Sequence, residues 1–266
     1  MSLRVTSIAS GSSGNALLVQ AGETSVLVDA GITAKRLVSE LKDLGVNPSD
    51  LKAIFLTHEH GDHIAGAGVL SRRYRVPVVA NEQTLLGSDL GRAELQVSST
   101  GGVTKVDGLT VTSFGLPHDG VEPVGYLLEW DRWKICVATD LGYAPESINE
   151  FVRASDLIVL ESNHDVDRLV KGPYPSSLKS RILGYTGHLS NQQASECVSA
   201  SVSGRPQWLW LAHLSDINNS PACALRSVRK HLQQSGIDSI HVSVALRDRR
   251  SLTWDAGDCW VQPRLT

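Results

Sequence analysis

No apolar run in this 266-residue chain approaches the roughly 20 residues that cross a bilayer. The longest, Trp208–Ala212 and Leu157–Leu160, are only strand-sized. A charged N-terminal segment followed by an apolar export core is also missing, so the expectation is an unexported, cytoplasmic protein with no membrane attachment. Cysteine is scarce: Cys136, Cys197, Cys223 and Cys259 are scattered without a C-x-x-C pair. That usage excludes an extracellular disulfide framework and predicts free thiols. Aromatic residues make up only 5 % of the chain. Linkers, low-complexity tracts and internal repeats are lacking too. The net charge of −3 excludes a uniformly basic nucleic-acid binder but leaves local basic patches open.

What is present is core material, with 41 % hydrophobic residues. Alternation and compact apolar runs predict strands at Arg4–Ala9, Ala16–Val19, Ser25–Val28, Ala53–Leu56, Val76–Ala80, Leu109–Phe114, Val124–Trp130, Trp133–Ala138, Asp156–Glu161, Trp208–Ala212 and Ser239–Val244. Helices are expected from Thr33 to Gly45, from His63 to about Tyr74, and over Pro145–Arg153, Ser190–Val202 and Pro221–Gln234. Residues 1–266 read as one domain in two halves, with sheet in the middle and helices outside.

The strongest chemical signal is His58-x-His60-x-Asp62-His63, directly after an apolar strand. In an extended segment alternate side chains share a side, so His58, His60 and Asp62 are expected to converge. His63 begins a helix and turns back toward them. Imidazole and carboxylate donors at this density suit a divalent metal. Other strands end in the same residue types: His118 follows Phe114-Gly-Leu-Pro, Asp140 closes Trp133–Thr139, and His213 closes Trp208–Ala212.

With Asp29 upstream, this set in this order resembles the metallo-β-lactamase fold over nearly the whole chain. The resemblance implies an α+β, four-layer αββα sandwich with a dinuclear site on one edge. It implies that His58, His60 and His118 hold one divalent ion, that Asp62, His63 and His213 hold the other, and that Asp140 bridges them with a hydroxide between. The ions would be Zn, Mn or Fe, a choice the ligand set leaves open. Asp29 would anchor the metal loop by hydrogen bonds.

Further segments narrow the branch. Leu160-Glu161-Ser-Asn-His-Asp165, Tyr185-Thr-Gly-His188-Leu-Ser-Asn191, Leu211-Ala-His213-Leu-Ser-Asp-Ile-Asn-Asn219 and Ala9-Ser-Gly-Ser-Ser-Gly-Asn15 are similar to the YycJ/WalJ-type branch. Its members are treated as double-stranded DNA exonucleases linked to mismatch repair. Ribonuclease Z and PhnP-like cyclic phosphodiesterases are more distantly similar. By that resemblance Glu161 and His188 form a Glu–His pair beside the metals. With Asp62 they are the candidate catalytic residues, His188 meeting the phosphate or protonating the leaving oxygen. Ser190 and Asn191 at a helix start, and Ser12, Ser13 and Asn15 in a glycine turn, are candidate phosphate contacts. His164 reads as a supporting residue.

The short spacing between Asp140 and His213 leaves no room for the β-CASP insertion of ribonuclease J. The spacing between His118 and Asp140 leaves none for the tRNA-gripping arm of bacterial ribonuclease Z. Arg72-Arg73-Tyr-Arg75, Lys179-Ser-Arg181 and Arg247-Asp-Arg-Arg250 are short basic clusters that could meet phosphates or simply face solvent. The reading is therefore a dinuclear phosphodiesterase acting on DNA or on a small phosphodiester. A cyclic phosphodiesterase, thioesterase or lactonase on the same scaffold is the alternative. A non-catalytic metal-binding partner protein is a third possibility, disfavoured by the complete ligand set.

Overall fold

The computed structural model describes residues 3–258. Its first half runs β1 (Leu3–Ala9), β2 (Ala16–Ala21), β3 (Thr24–Val28), α1 (Ala34–Asp43), β4 (Leu51–Phe55), α2 (Gly61–Ile64), α3 (Ala67–Tyr74), β5 (Val78–Ala80), α4 (Glu82–Gly87) and β6 (Leu95–Val97). The second runs β7 (Val103–Val106), β8 (Leu109–Gly115), β9 (Val124–Trp130), β10 (Trp133–Ala138), α5 (Ile148–Ala154), β11 (Leu157–Glu161), α6 (Val166–Lys171), α7 (Ser176–Ile182), α8 (Asn191–Ser201), β12 (Gln207–Ala212), α9 (Pro221–Gln234) and β13 (Ile240–Val244). A last strand, β14 (Thr253–Asp255), returns to pair antiparallel with β1. Two seven-stranded mixed sheets result, ordered β14-β1-β2-β3-β4-β5-β6 and β13-β12-β11-β10-β9-β8-β7.

Period-two alternation sorts the strand residues into layers. Val19, Val26 and Phe55 of the first sheet meet Tyr126, Ile135, Val159 and Trp210 of the second in one inter-sheet core. Their neighbours face the other way. Leu18, Leu27 and Ile54 pack on Leu37 and Leu41 of α1 and Leu70 of α3. Ile158, Leu209 and Leu211 pack on Val152 of α5, Val198 of α8 and Val228 of α9. Helix, sheet, sheet, helix is the αββα sandwich. Both faces of the central strands are covered, which is why their sequences are continuous apolar runs.

Thr33 caps α1 as expected, its side chain accepting a hydrogen bond from the Arg36 N–H. The helix expected to run to Tyr74 is instead broken into α2 and α3. Gly66 lies at the break, donating its N–H to Ala30 O at 2.7 Å. A Cβ there would lie 2.5 Å from Ile32 O, so the chain bends where two loops touch. The helix expected from Pro145 starts at Ile148, and α4, β6, β7, α6, α7 and β14 were not anticipated. Cys136, Cys197 and Cys223 are free thiols, the first two buried. Cys259 lies outside the described residues. Among the described residues no helix is long and apolar enough to cross a membrane.

Candidate metal centre

Within each sheet the parallel pairs β3–β4 and β10–β11–β12 bring several carboxyl ends to one edge. The residues just past those ends, or at them, are Asp29, His58, Asp140, Glu161 and His213. Asp29, Asp140 and His213 turn off their strands in the left-handed region, at φ 60°, 61° and 53°. Asp and His tolerate this conformation better than most side chains, yet it still costs energy and clusters at functional sites.

The expected ligands come together here. Donor atoms of His58, His60 and His118 lie within 4.8 Å of one another, and so do those of Asp62, His63 and His213. Asp140 stands between the groups, its Oδ2 3.1 Å from His63 Nε2 and its Oδ1 3.8 Å from His118 Nε2. Asp62 arrives differently from the expectation. His60 is the N-cap of α2, so Asp62 reaches inward from the first helical turn rather than from an extended strand.

Four of the cluster's imidazoles are aimed by their other nitrogen. His63 Nδ1 donates to Asp29 Oδ2 at 2.8 Å. His118 Nδ1 donates to Gly187 O at 3.1 Å, and His213 Nδ1 to Glu161 Oε1 at 2.9 Å. His58 Nδ1 lies 3.0 Å from Thr57 Oγ1, which also bonds Asp29. These contacts leave Nε2 of all four rings facing the centre, as outer partners of metal-binding imidazoles do. Asp29 therefore sits where expected. Thr57 and Asp119 were missed by the sequence reading: Asp119 Oδ1 lies 3.1 Å from His118 Nε2 and Oδ2 2.6 Å from Arg181 Nη2. Single polar residues beside a motif carry no spacing signal.

The electrostatics are those of an anionic, nitrogen-rich hole. Burial opposes the charge on Asp140, but His213 and His63 outweigh it and hold the carboxyl well below its usual range. Burial likewise opposes charge on His213, yet Asp140, Asp62 and Glu161 lift it to about 10. His63 is raised against burial by Asp29 and Asp140. His58 and His118 go down, chiefly through burial. Asp140 Oδ2 and His213 Nε2 are buried without a well-aligned hydrogen bond. Buried polar atoms left without a partner, together with His58 Nε2 only 3.0 Å from His60 Nδ1, are what a divalent cation satisfies. The donor set fits such ions.

Beside this cluster lies the Glu–His pair. Glu161 is fully buried; Oε1 accepts from His188 Nδ1 at 2.8 Å as well as from His213. Its Oε2 accepts from the Leu141 and Leu189 N–H groups, each at 3.0 Å. Burial would raise its pKa, but His188 and His213 bring it to about 2. His188 is held above the usual histidine value by Glu161 against burial. It lines a cleft of about 190 Å³ with Ser12, Asp119, Asn163, Arg181 and Ser215.

Three expected phosphate contacts are placed elsewhere. Ser190 and Asn191 are buried. Ser190 closes a capping box with Gln193 at the start of α8. Asn191 Oδ1 accepts from Ser162 Oγ at 2.6 Å and Asn219 Nδ2 at 2.8 Å. Asn15 is buried too, accepting from Gly11 N at 2.8 Å and lying 3.0 Å from His63 Nε2, so it braces the metal loop. Ser12 and Ser13 are exposed, and Ser12 borders the cleft. His164 is buried with neither ring nitrogen bonded, and burial lowers it to about 4, so it is neutral.

A model of the metallo-β-lactamase superfamily matches residues 9–174. The chain belongs to the metallo-β-lactamase superfamily. Within that superfamily it is 38 % identical over 242 residues to exodeoxyribonuclease YycJ of Bacillus anthracis, covering 89 % of this chain and 91 % of the relative. It is 37 % identical over 237 residues to exodeoxyribonuclease WalJ of Streptococcus pneumoniae, covering 86 % and 88 %. The metallo-β-lactamase fold protein YhfI of Bacillus subtilis superposes with a TM-score of 0.70 at 18 % identity, covering 96 % of this chain and 99 % of that one. This last likeness concerns the fold alone. As a metallo-β-lactamase superfamily member the chain is a hydrolase scaffold whose His/Asp clusters suit divalent metal ions.

Proposed function

We propose that the chain is a divalent-metal-dependent exonuclease acting on DNA, with the described residues working as one domain that carries no β-CASP insertion. His58, His60 and His118 would hold one ion, Asp62, His63 and His213 a second, and Asp140 both, with Zn²⁺ or Mn²⁺ as the fitting ions. The observation that carries the reading is the convergence of these donors beside a braced His188 that opens into a cleft. The relatives named exodeoxyribonucleases over most of the chain supply the substrate class.

When bound, divalent ions lower the pKa of water and offset charge on phosphoryl oxygens. The protein's own groups do the rest. Glu161 fixes the His188 ring through Nδ1 and favours its protonated form, in which Nε2 would offer a proton to the cleft that His188 lines. Cleavage expels an alkoxide, and that proton would neutralise it. Asp62 faces the cluster from α2, its Oδ2 3.6 Å from His213 Nε2. Ser12, Asn163 and Ser215 offer hydrogen bonds along the cleft wall.

The test is incubation of end-labelled duplex and single-stranded DNA with Mn²⁺ or Zn²⁺, with and without EDTA. Progressive loss of end nucleotides, abolished by EDTA, is the expected result. Hydrolysis of thioesters or lactones with no attack on DNA would overturn it in favour of a small-molecule hydrolase.

A further inference from the structure

Two exposed tyrosines on the loops that carry Asp140 and His188 have no task in the reading above, on which this inference rests. Tyr185 is 81 % exposed and Tyr143 40 %. Their rings touch edge to face, with centroids 5.3 Å apart and planes at 77°. Single exposed apolar side chains are ordinary. A contacting aromatic pair on two loops that lead into the site is less so, and its placement is tightly determined.

Tyr143 follows Asp140 by three residues, and Tyr185 precedes His188 by three, a stretch of at most about 10 Å of chain. The two loops are in backbone contact through Gly142, where a Cβ would lie 2.2 Å from Tyr185 O. Gly187, between Tyr185 and His188, gives its carbonyl to His118 Nδ1 at 3.1 Å. A Cβ on Gly187 would lie 2.2 Å from Ile182 O. Both rings are thus tied to the site by close approaches that only glycine permits. The same segment carries cationic charge. Arg181 is 65 % exposed at its side chain, where its guanidinium pairs with Asp119 Oδ2 at 2.6 Å, and its carbonyl accepts from Gly184 N at 3.2 Å.

We propose that Tyr143 and Tyr185 form a stacking platform for a nucleobase of the strand whose phosphodiester enters beside His188, with Arg181 meeting the adjoining phosphate. An edge-to-face pair leaves one ring face open, and every base has a π-face to lay on it. A strand with a phosphate at His188 places its neighbouring base within the reach of these two loops. Such a platform takes an unpaired base, so it grips a frayed or single-stranded end in preference to closed duplex.

The experiment is a binding cycle. The full-length metal-loaded protein and its Tyr185→Ala, Tyr143→Ala and Tyr185→Phe variants are titrated with a single-stranded oligonucleotide and with the same strand made abasic at its terminal nucleotides. Phosphorothioate linkages keep both strands intact, and fluorescence anisotropy reads binding. Removing the bases should weaken the unaltered protein on the order of ten-fold. The loss should largely vanish in either alanine variant and persist in Tyr185→Phe, which keeps the ring. Equal losses in the unaltered protein and both alanine variants would overturn the platform and assign the pair to a different contact, such as a protein partner. A parallel gel with unmodified strands reads hydrolysis. No cleavage by the unaltered protein sinks the exonuclease reading itself, while the cycle still reports on the tyrosines.

Discussion

Glu161 Oε1 accepts from two histidines, His213 of the Asp62–His63 group and His188, which lines the cleft, and the proposed function gives them different tasks. His188→Ala should therefore lower DNA turnover at least ~100-fold, the usual scale of general acid–base help, while metal content by mass spectrometry stays unchanged. Parallel loss of metal would make His188 a ligand instead. Glu161 also has a pH signature. Its pKa falls from 4.5 to about 2, because His188 and His213 outweigh burial. A lowered folded-state pKa gives stability that is complete above the unfolded value and is lost as pH falls through the folded one. In metal-free protein the urea midpoint should thus drop between about pH 5 and about pH 2, and less steeply in Glu161→Gln. Identical slopes would contradict the coupling. At this scale the sequence was legible where residues were dense or sat at strand ends, as in the His58–His63 cluster, His118, Asp140 and His213, whereas the Glu161–His188 pair came through the resemblance to a known family. Thr57, Asp119 and Asn163 were not legible, since their roles exist only once distant loops meet. Asn163, for example, donates to His213 O at 2.9 Å across 50 positions.

Helix α8 shows where a local signal was ambiguous. Ser190-x-x-Gln193 is both a helix start and a conceivable phosphate cradle, and the two readings share the same letters. In the structure the side chains of Ser190 and Gln193 satisfy each other's backbone N–H groups, which supports the helix-start reading. Ser190→Ala should cost about 1 kcal/mol, seen as a lower melting temperature, with KM for DNA unchanged. A raised KM at an unaltered melting temperature would restore the phosphate role. The short elements α4, β6, β7, α6 and α7 escaped detection for a related reason. All have seven residues or fewer, β6 is exposed throughout and α7 has no fully buried residue, so periodicity had little to act on. The long elements α8 and α9 were legible because caps and apolar spacing agree in them.

Across the whole molecule, the two sheets divide the labour. The inter-sheet core from Val5 to Trp254 fixes how the halves stack, and the stacking brings ligands from the first sheet to ligands from the second. Strand character and order were readable from alternation and apolar runs. The layered pairing followed from the resemblance to a known fold and is matched by the observed sheet orders. The contact between halves at the site was not readable, because it depends on loops meeting across the two sheets, as where the His213 N–H donates to Ser10 Oγ at 2.9 Å. The proposed function rests on His58, His60, Asp62, His63, His118, Asp140 and His213 serving together as a single site for a pair of cations. Metal analysis of the purified full-length chain, loaded with Mn²⁺ or Zn²⁺ and freed of excess by gel filtration, measures it directly. The prediction is about two ions per chain, falling to one or none in Asp140→Ala. A protein that carries no ion and still degrades DNA at full rate would contradict it.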